Sequence, residues 1–254
     1  MLERKGIDYR RVDLLPALHK PILRALGFSG ATVPALKLDG ERVQGSRAIS
    51  RKLDERQPEP RLFPADPSQR TAVEEAERWG DEVLQPAARR LSWWMLRRDR
   101  STIGTFLEGT RIGIPHGLAV RTAAPIIWTS ARINRASDES ARADLAALPD
   151  MLDRIDAWID AGVIGGPEPN AADYQIGTSV RLLLCLEDLV PPIRDRPAGE
   201  MAMRVVPDYA GRVPPVAPAE LLEPLRSRVR PVSPSDFVSS RSESPAARSS
   251  RNVS

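Results

Sequence analysis

The chain has 254 residues, of which 41% are hydrophobic and 28% charged, and its net charge is +3. That length allows one large domain or two ordinary ones, and no apolar run approaches the roughly 18 residues that a membrane span requires. One cysteine, Cys185, excludes an intramolecular disulfide, and two histidines, His19 and His116, exclude a multi-histidine metal site.

The positive charge is not spread evenly. Residues 221–254 hold six arginines (226, 228, 230, 241, 248, 251) against Glu223, Asp236 and Glu243, which accounts for the whole excess and leaves residues 1–220 neutral. A nucleic-acid footprint needs a basic face on a folded domain, so no nucleic-acid partner is expected. The opening MLERKGIDYRR is charged from its third residue and has no apolar signal core. With a single thiol, this points to a cytoplasmic protein with no membrane partner.

In chain order, Met1–Lys5 reads as the last turn of a helix, stopped by Gly6. Ile7–Leu14 reads as a strand, with Ile7, Tyr9 and Val12 in loose alternation. Pro16 to Leu26 has helical spacing at Leu18, Ile22 and Leu26 and ends at Gly27. Ala35–Leu38 and Glu41–Val43 form a hairpin, because Asp39-Gly40 supplies the positive φ angles of a tight turn. A helix over Ser46–Arg56 follows, with Ile49 and Leu53 on one face. Four prolines in QPEPRLFPADPS mark a linker.

Beyond the linker the pattern is helical. Ser68 is a capping candidate for a long helix carrying Val73, Ala76, Trp79, Val83 and Leu84, which Pro86 should kink. Arg97–Pro125 is less regular. Asp138–Ala161 is strongly amphipathic, Asn170–Leu189 is the most apolar helix, and Pro197–Val206 is another. From Leu221 the pattern stops, and residues 231–254 hold nine serines, so residues 221–254 are expected to be a disordered tail. The expected organisation is an α/β domain over 1–57, a linker over 58–67, an all-α domain over 68–220 and the tail.

Three short segments carry chemistry. Thr32-Val33-Pro34 precedes an edge strand. A cis Val33–Pro34 bond there would turn the backbone N–H and C=O of Val33 outward, to pair with an extended peptide-like ligand; the bland alternative is a trans turn. Ser46 opens a helix behind Gly45, so its hydroxyl either caps that helix or joins the free amides in holding a carboxylate. Gln44 is a further amide donor, and Arg47 either draws anions or is solvated. Cys185, inside RLLLCLEDL, reads as a buried structural thiol. Trp93, Trp94 and Trp128 either line a hydrophobic pocket or pack in the core.

In that order and spacing, TVPAL, LDGER and QGSRAIS resemble the glutathione-binding half of the glutathione transferase family. RLFPADP resembles the family's interdomain segment, and PNAADYQIG resembles the start of its central helix, where Asn170 would cap and Asp173 would reach back. The resemblance implies a thioredoxin-like N-terminal domain and an all-α C-terminal domain. It implies that Val33, Pro34, Gln44 and Ser46 hold glutathione, with Ser46 on the γ-glutamyl carboxylate. His19 lies where members sometimes contact the ligand, but a solvated loop histidine is the favoured reading. The implied partners are glutathione as co-substrate, with no permanently bound cofactor and no metal, a small hydrophobic electrophile, and a second copy in a homodimer.

Two departures stand out. Many members carry an acidic residue where this chain has Gly45. A Ser, Tyr or Cys at the end of the family's first strand lowers the pKa of the glutathione thiol, and no residue here maps onto that position. The first strand has no counterpart, so the α/β domain is expected to be incomplete, the reading frame to start further upstream, and this chain to be weak or inactive. The alternative is a non-catalytic binding or interaction protein.

Overall fold

The computed structural model describes residues 1–14, 19–30, 32–110 and 116–227. Two left-handed glycines shape the N-terminal unit. Gly6, at φ 61°, closes the Met1–Lys5 turn, with the Ile7 N–H bonded to the Leu2 carbonyl at 3.1 Å. Gly27, at φ 80°, ends helix α1 (His19–Ala25) in the same way, the Phe28 N–H reaching the Leu23 carbonyl at 2.9 Å. Both are the Schellman arrangement, in which a residue without Cβ takes the left-handed position after the last turn.

Asp39 and Gly40, at φ 49° and 90°, fold strand β1 (Ala35–Leu38) back on β2 (Glu41–Gln44), with Leu36 opposite Val43. Helix α2 (Ser46–Arg56) then lays Ile49 and Leu53 into the core. Among the described residues the sheet has these two strands. The strand expected over Ile7–Leu14 does not form. The described part of this segment is extended chain with Tyr9 and Val12 exposed, because a strand persists only against a hydrogen-bonding neighbour and neither β1 nor β2 pairs with it.

The all-α unit begins at α3 (Pro67–Trp79), capped by Asp66 rather than by Ser68: the Asp66 side chain accepts from the Gln69 N–H at 2.8 Å. The kink expected at Pro86 takes the form of a widened turn. Gly80–Leu84 is π-helical, the Gln85 N–H bonding back to the Gly80 carbonyl, and α4 (Gln85–Arg98) continues from there. Proline lacks an N–H and crowds the preceding turn, and one extra residue per turn relieves both. A 3-10 segment (Arg100–Leu107), α5 (His116–Arg121) and α6 (Ala123–Ile133) fill the irregular region.

The long amphipathic helix is α7 (Asp138–Asp160), and α8 (Ala171–Leu184) is the central helix. The helix expected to reach Leu189 stops at Leu184. There Val213 comes alongside: its N–H bonds the Cys185 carbonyl and its carbonyl accepts from the Glu187 N–H, at 2.8 and 2.9 Å, drawing the chain into an extended bridge. Two short helices follow, α9 (Val190–Ile193) and α10 (Pro197–Val205). Order continues past the expected boundary at 220. Helix α11 (Ala219–Arg226) buries Leu222 and Leu225, apolar residues at helical spacing inside a segment whose composition is otherwise polar. The rest of the expected tail, from residue 228, lies outside the described residues.

The two units share one core, in which Ile49 and Leu53 of α2 join Leu62, Phe63, Val73, Trp79 and the α8 residues Ile176 and Val180. A polar chain crosses the same boundary. Lys5 is 1% exposed, and its ammonium donates to the Asp54 carboxylate at 2.8 Å and to the carbonyls of Gln57 and Pro60 at 2.5 and 2.9 Å. The same Asp54 oxygen accepts from the Leu62 N–H at 2.8 Å, and the Leu62 carbonyl accepts from Ala171, the first residue of α8.

The α8 N-terminus carries the expected capping box. The Asn170 side chain accepts from the Ala172 and Asp173 N–H groups, while the buried Asp173 carboxylate accepts from the N–H groups of Asn170 and Gly165 at 2.9 and 2.6 Å. Cys185 is buried as expected, its thiol near the Arg181 carbonyl and pushed up to about 11 by burial. Only a thiolate alkylates quickly. Intact protein at pH 8 should therefore take up no iodoacetamide label over a period that fully labels the denatured chain, as read by mass spectrometry.

Candidate functional site

The backbone around Pro34 brings the candidate residues together. The Val33–Pro34 peptide is cis, as expected. The Pro34 carbonyl accepts from the Gly45 N–H at 2.9 Å, directly beyond the Ala35–Gln44 pair that ends the hairpin. That bond sets Val33 and Ser46 on either side of one cross-link. Val33 is 46% exposed, and among the described residues neither its N–H nor its C=O has a partner. It offers a free donor and acceptor at the end of β1.

Ser46 is the first residue of α2, and Gly45 is the cap. Gly45 has no side chain to cap with and none of the helix-start donors is bonded by one. The Ser46 hydroxyl has no partner among the described residues, so it is left for a ligand. The first-turn N–H groups of a helix have no intrahelical acceptors and carry its positive end. Gly45 also explains the departure from the acidic residue common at this place. Its φ is 86°, a left-handed value that favours glycine over any residue with a Cβ.

Gln44 is occupied by the chain itself. Its side-chain oxygen accepts from the Gly30 N–H at 2.6 Å and its amide donates to the Thr32 carbonyl at 3.1 Å. It braces the segment leading into Val33. A Cβ on Gly30 would stand 2.6 Å from that same oxygen, so glycine is needed for the approach. Arg47 is neither free nor solvated: it pairs with Glu82 of the π-helical turn at 3.1 Å. His19 opens α1 rather than lying in a loop. The side chain of His116 lies outside the described residues.

A network absent from the sequence reading holds the first turn of α2 from behind. The buried Glu77 of α3 accepts from the Ser50 hydroxyl and from Arg51, both at 2.7 Å. Arg51 also donates to the Arg47 carbonyl at 2.8 Å, and that carbonyl lies 2.9 Å from the Ser50 oxygen, so the single hydroxyl proton is shared between it and Glu77. The signal was available: Glu77 follows Val73 by four residues and so falls on the apolar face of its helix.

The tryptophans divide. Trp94 is core, its indole N–H donating to Asp138 at 2.7 Å, and Trp93 packs at the core margin, whereas Trp128 is exposed. They line no common pocket.

Residues 1–61 match the family model described as "Glutathione S-transferase, N-terminal domain". The N-terminal unit, about a quarter of the chain, is therefore similar to the N-terminal domain of glutathione S-transferases. No curated protein matches it. The matched segment ends at Arg61, inside the linker, and contains Val33, Pro34, Gln44 and Ser46. The architecture fits a glutathione S-transferase: a thioredoxin-like N-terminal unit, reduced among the described residues to its antiparallel hairpin and two helices, followed by an all-α unit. Among the described residues, no helix is long and apolar enough to cross a membrane.

Proposed function

We propose that this glutathione S-transferase-like protein binds glutathione, or a similar low-molecular-weight thiol, along Val33 and the α2 N-terminus. The observation that carries the reading is a Val33 backbone and a Ser46 hydroxyl, both without partners among the described residues, set beside each other by the Pro34–Gly45 bond. Val33 supplies one donor and one acceptor to the cysteinyl backbone of the ligand, in the manner of an added strand. Ser46 and the first-turn amides of α2 take the γ-glutamyl carboxylate. Gln44 positions the Val33 segment rather than touching the ligand. Conjugation to a small hydrophobic electrophile would need a donor to the sulfur. No residue of this chain maps onto the family's activating position, and the tyrosine and cysteine groups whose pKa values move, Tyr9, Tyr174, Cys185 and Tyr209, all shift upward, away from ionising. Affinity without conjugation above the solution rate is the expected behaviour.

Calorimetric titration with glutathione tests this. Binding should be measurable, and Ser46→Ala should weaken it about tenfold, the worth of one hydrogen bond to a charged group. Absence of heat at millimolar glutathione, or an unchanged affinity in the variant, would overturn the site. Turnover of a chlorinated aromatic that Ser46→Ala abolishes would replace binding alone with catalysis.

A further inference from the structure

Between Gly109 and Ser137 the chain holds four arginines (111, 121, 132, 135) and neither aspartate nor glutamate. The structure turns this bias into a surface. On α6, Pro125, Trp128 and Arg132 follow one another at spacings of three and four on the exposed side of the helix, whose opposite face buries Ala123, Ile127, Ser130 and Ala131. Trp128 is 60% exposed, Ile133 at the end of the same helix 62%, and Leu118 on the adjoining α5 53%. Trp128 is the one exposed tryptophan of the five. Arg121, Arg132 and Arg135 are exposed and form no ion pair among the described residues. Elsewhere the exposed arginines divide: 56, 61, 70, 78 and 154 have carboxylate partners, whereas 24, 89, 142 and 194 form no ion pair among the described residues. What marks the α5–α6 face is cations beside the exposed Trp128, Leu118 and Ile133.

We propose that the α5–α6 face docks on an anionic lipid surface, with Trp128, Leu118 and Ile133 entering the headgroup layer and the arginines meeting lipid phosphates. Amphipathic aromatic side chains settle at a water–hydrocarbon boundary, and unpaired cations beside them add attraction to anionic headgroups. Other occupants fit less well. A second copy meeting this face across a two-fold axis would set Arg121, Arg132 and Arg135 against themselves, with no acid in the segment to pair them. A polynucleotide would satisfy the arginines but leave Leu118 and Ile133 uncovered. That no helix among the described residues is long and apolar enough to cross a membrane says nothing against contact with a bilayer surface.

Flotation of the full chain with vesicles of phosphatidylglycerol and phosphatidylcholine, against phosphatidylcholine alone, tests the proposal. Binding is expected to the anionic vesicles only, to shift tryptophan emission to the blue, and to weaken as salt rises. Trp128→Ala should reduce partitioning roughly tenfold, and Arg132→Ala about fivefold. Both positions are exposed, and unchanged circular dichroism would show the fold intact. Equal binding to both vesicle types, or indifference to Trp128→Ala, would overturn the proposal. So would binding abolished only by replacing Arg241, Arg248 and Arg251, which would assign the attraction to the C-terminal segment. Concentration-dependent dimers lost in Trp128→Ala would assign the face to a second copy, and tight binding to an oligonucleotide without vesicle binding would assign it to nucleic acid.

Discussion

Lys5→Met should destabilise the whole protein by about 3–5 kcal/mol, the usual cost of removing one partner from a buried ion pair. Lys5 is fully enclosed and its three donors meet three acceptors, Asp54 and the carbonyls of Gln57 and Pro60. Methionine fills most of the volume but leaves Asp54 with only the Leu62 N–H and both carbonyls without a donor. The loss spreads because Leu62 is also the residue that docks the start of α8. Denaturant unfolding followed by circular dichroism measures it. Lys20→Met, at an exposed position, is the control and should change stability by less than about 0.5 kcal/mol. In Lys5→Met/Asp54→Asn the second change removes the stranded charge, so the double variant should lose less than the sum of the two single variants. A strictly additive result, or a Lys5→Met loss near that of the control, would show that the buried ammonium is not the tie between the units.

That tie was invisible in the sequence for a specific reason. Local patterns show what a residue does with its neighbours, and Lys5 finds its partners about fifty positions away. An N-terminal lysine reads as a solvated charge because that is what lysine almost always is. The legible features are those whose cause is local. Asp39-Gly40 needs no distant contact to make a hairpin, Gly6 and Gly27 end their turns by conformational freedom alone, and the Asn170–Asp173 box is written within four residues. The error at Ile7–Leu14 has the same root. Alternation can mark a strand, but only a pairing partner makes one, and none is adjacent here. Pro86 marks a disturbance by its chemistry, while its form, a π-helical turn beginning at Gly80 where a Cβ would stand 2.9 Å from Ile176 of α8, is not written in the local pattern. At the candidate site the positions were legible and the roles only partly so. The Val33 backbone and the Ser46 hydroxyl have no partners among the described residues, but Gln44 is taken up by Gly30 and Thr32 and Arg47 pairs with Glu82, contacts that no motif records.

Asp173→Ala should cost about 2–6 kcal/mol, because it strands two part-buried backbone donors at roughly 1–3 kcal/mol each. The N–H groups of Gly165 and Asn170 both end on this carboxylate, so the loop into α8 and the first turn of the helix lose their acceptor together. Asn170→Ala removes the other half of the box and should cost less, about 1 kcal/mol, the usual value of a cap. The pH dependence separates the carboxylate from a plain packing effect. Burial raises the Asp173 pKa above 3.8, and the two backbone bonds only partly offset it. A raised folded pKa means that this group's titration favours the native state below 3.8, an advantage lost as pH climbs through the folded value. The stability gap between the parent and Asp173→Ala should therefore narrow as pH rises across that window and stay constant above it. Unfolding free energies for both proteins from pH 3.5 to 7 measure the trend. A gap that widens with pH would mean that the two N–H bonds outweigh burial and hold the folded carboxyl below its ordinary value. A gap near zero at pH 7 would mean that α8 keeps its start without the box, and that the tie through Leu62 and Ala171 is enough to hold the central helix against the N-terminal unit.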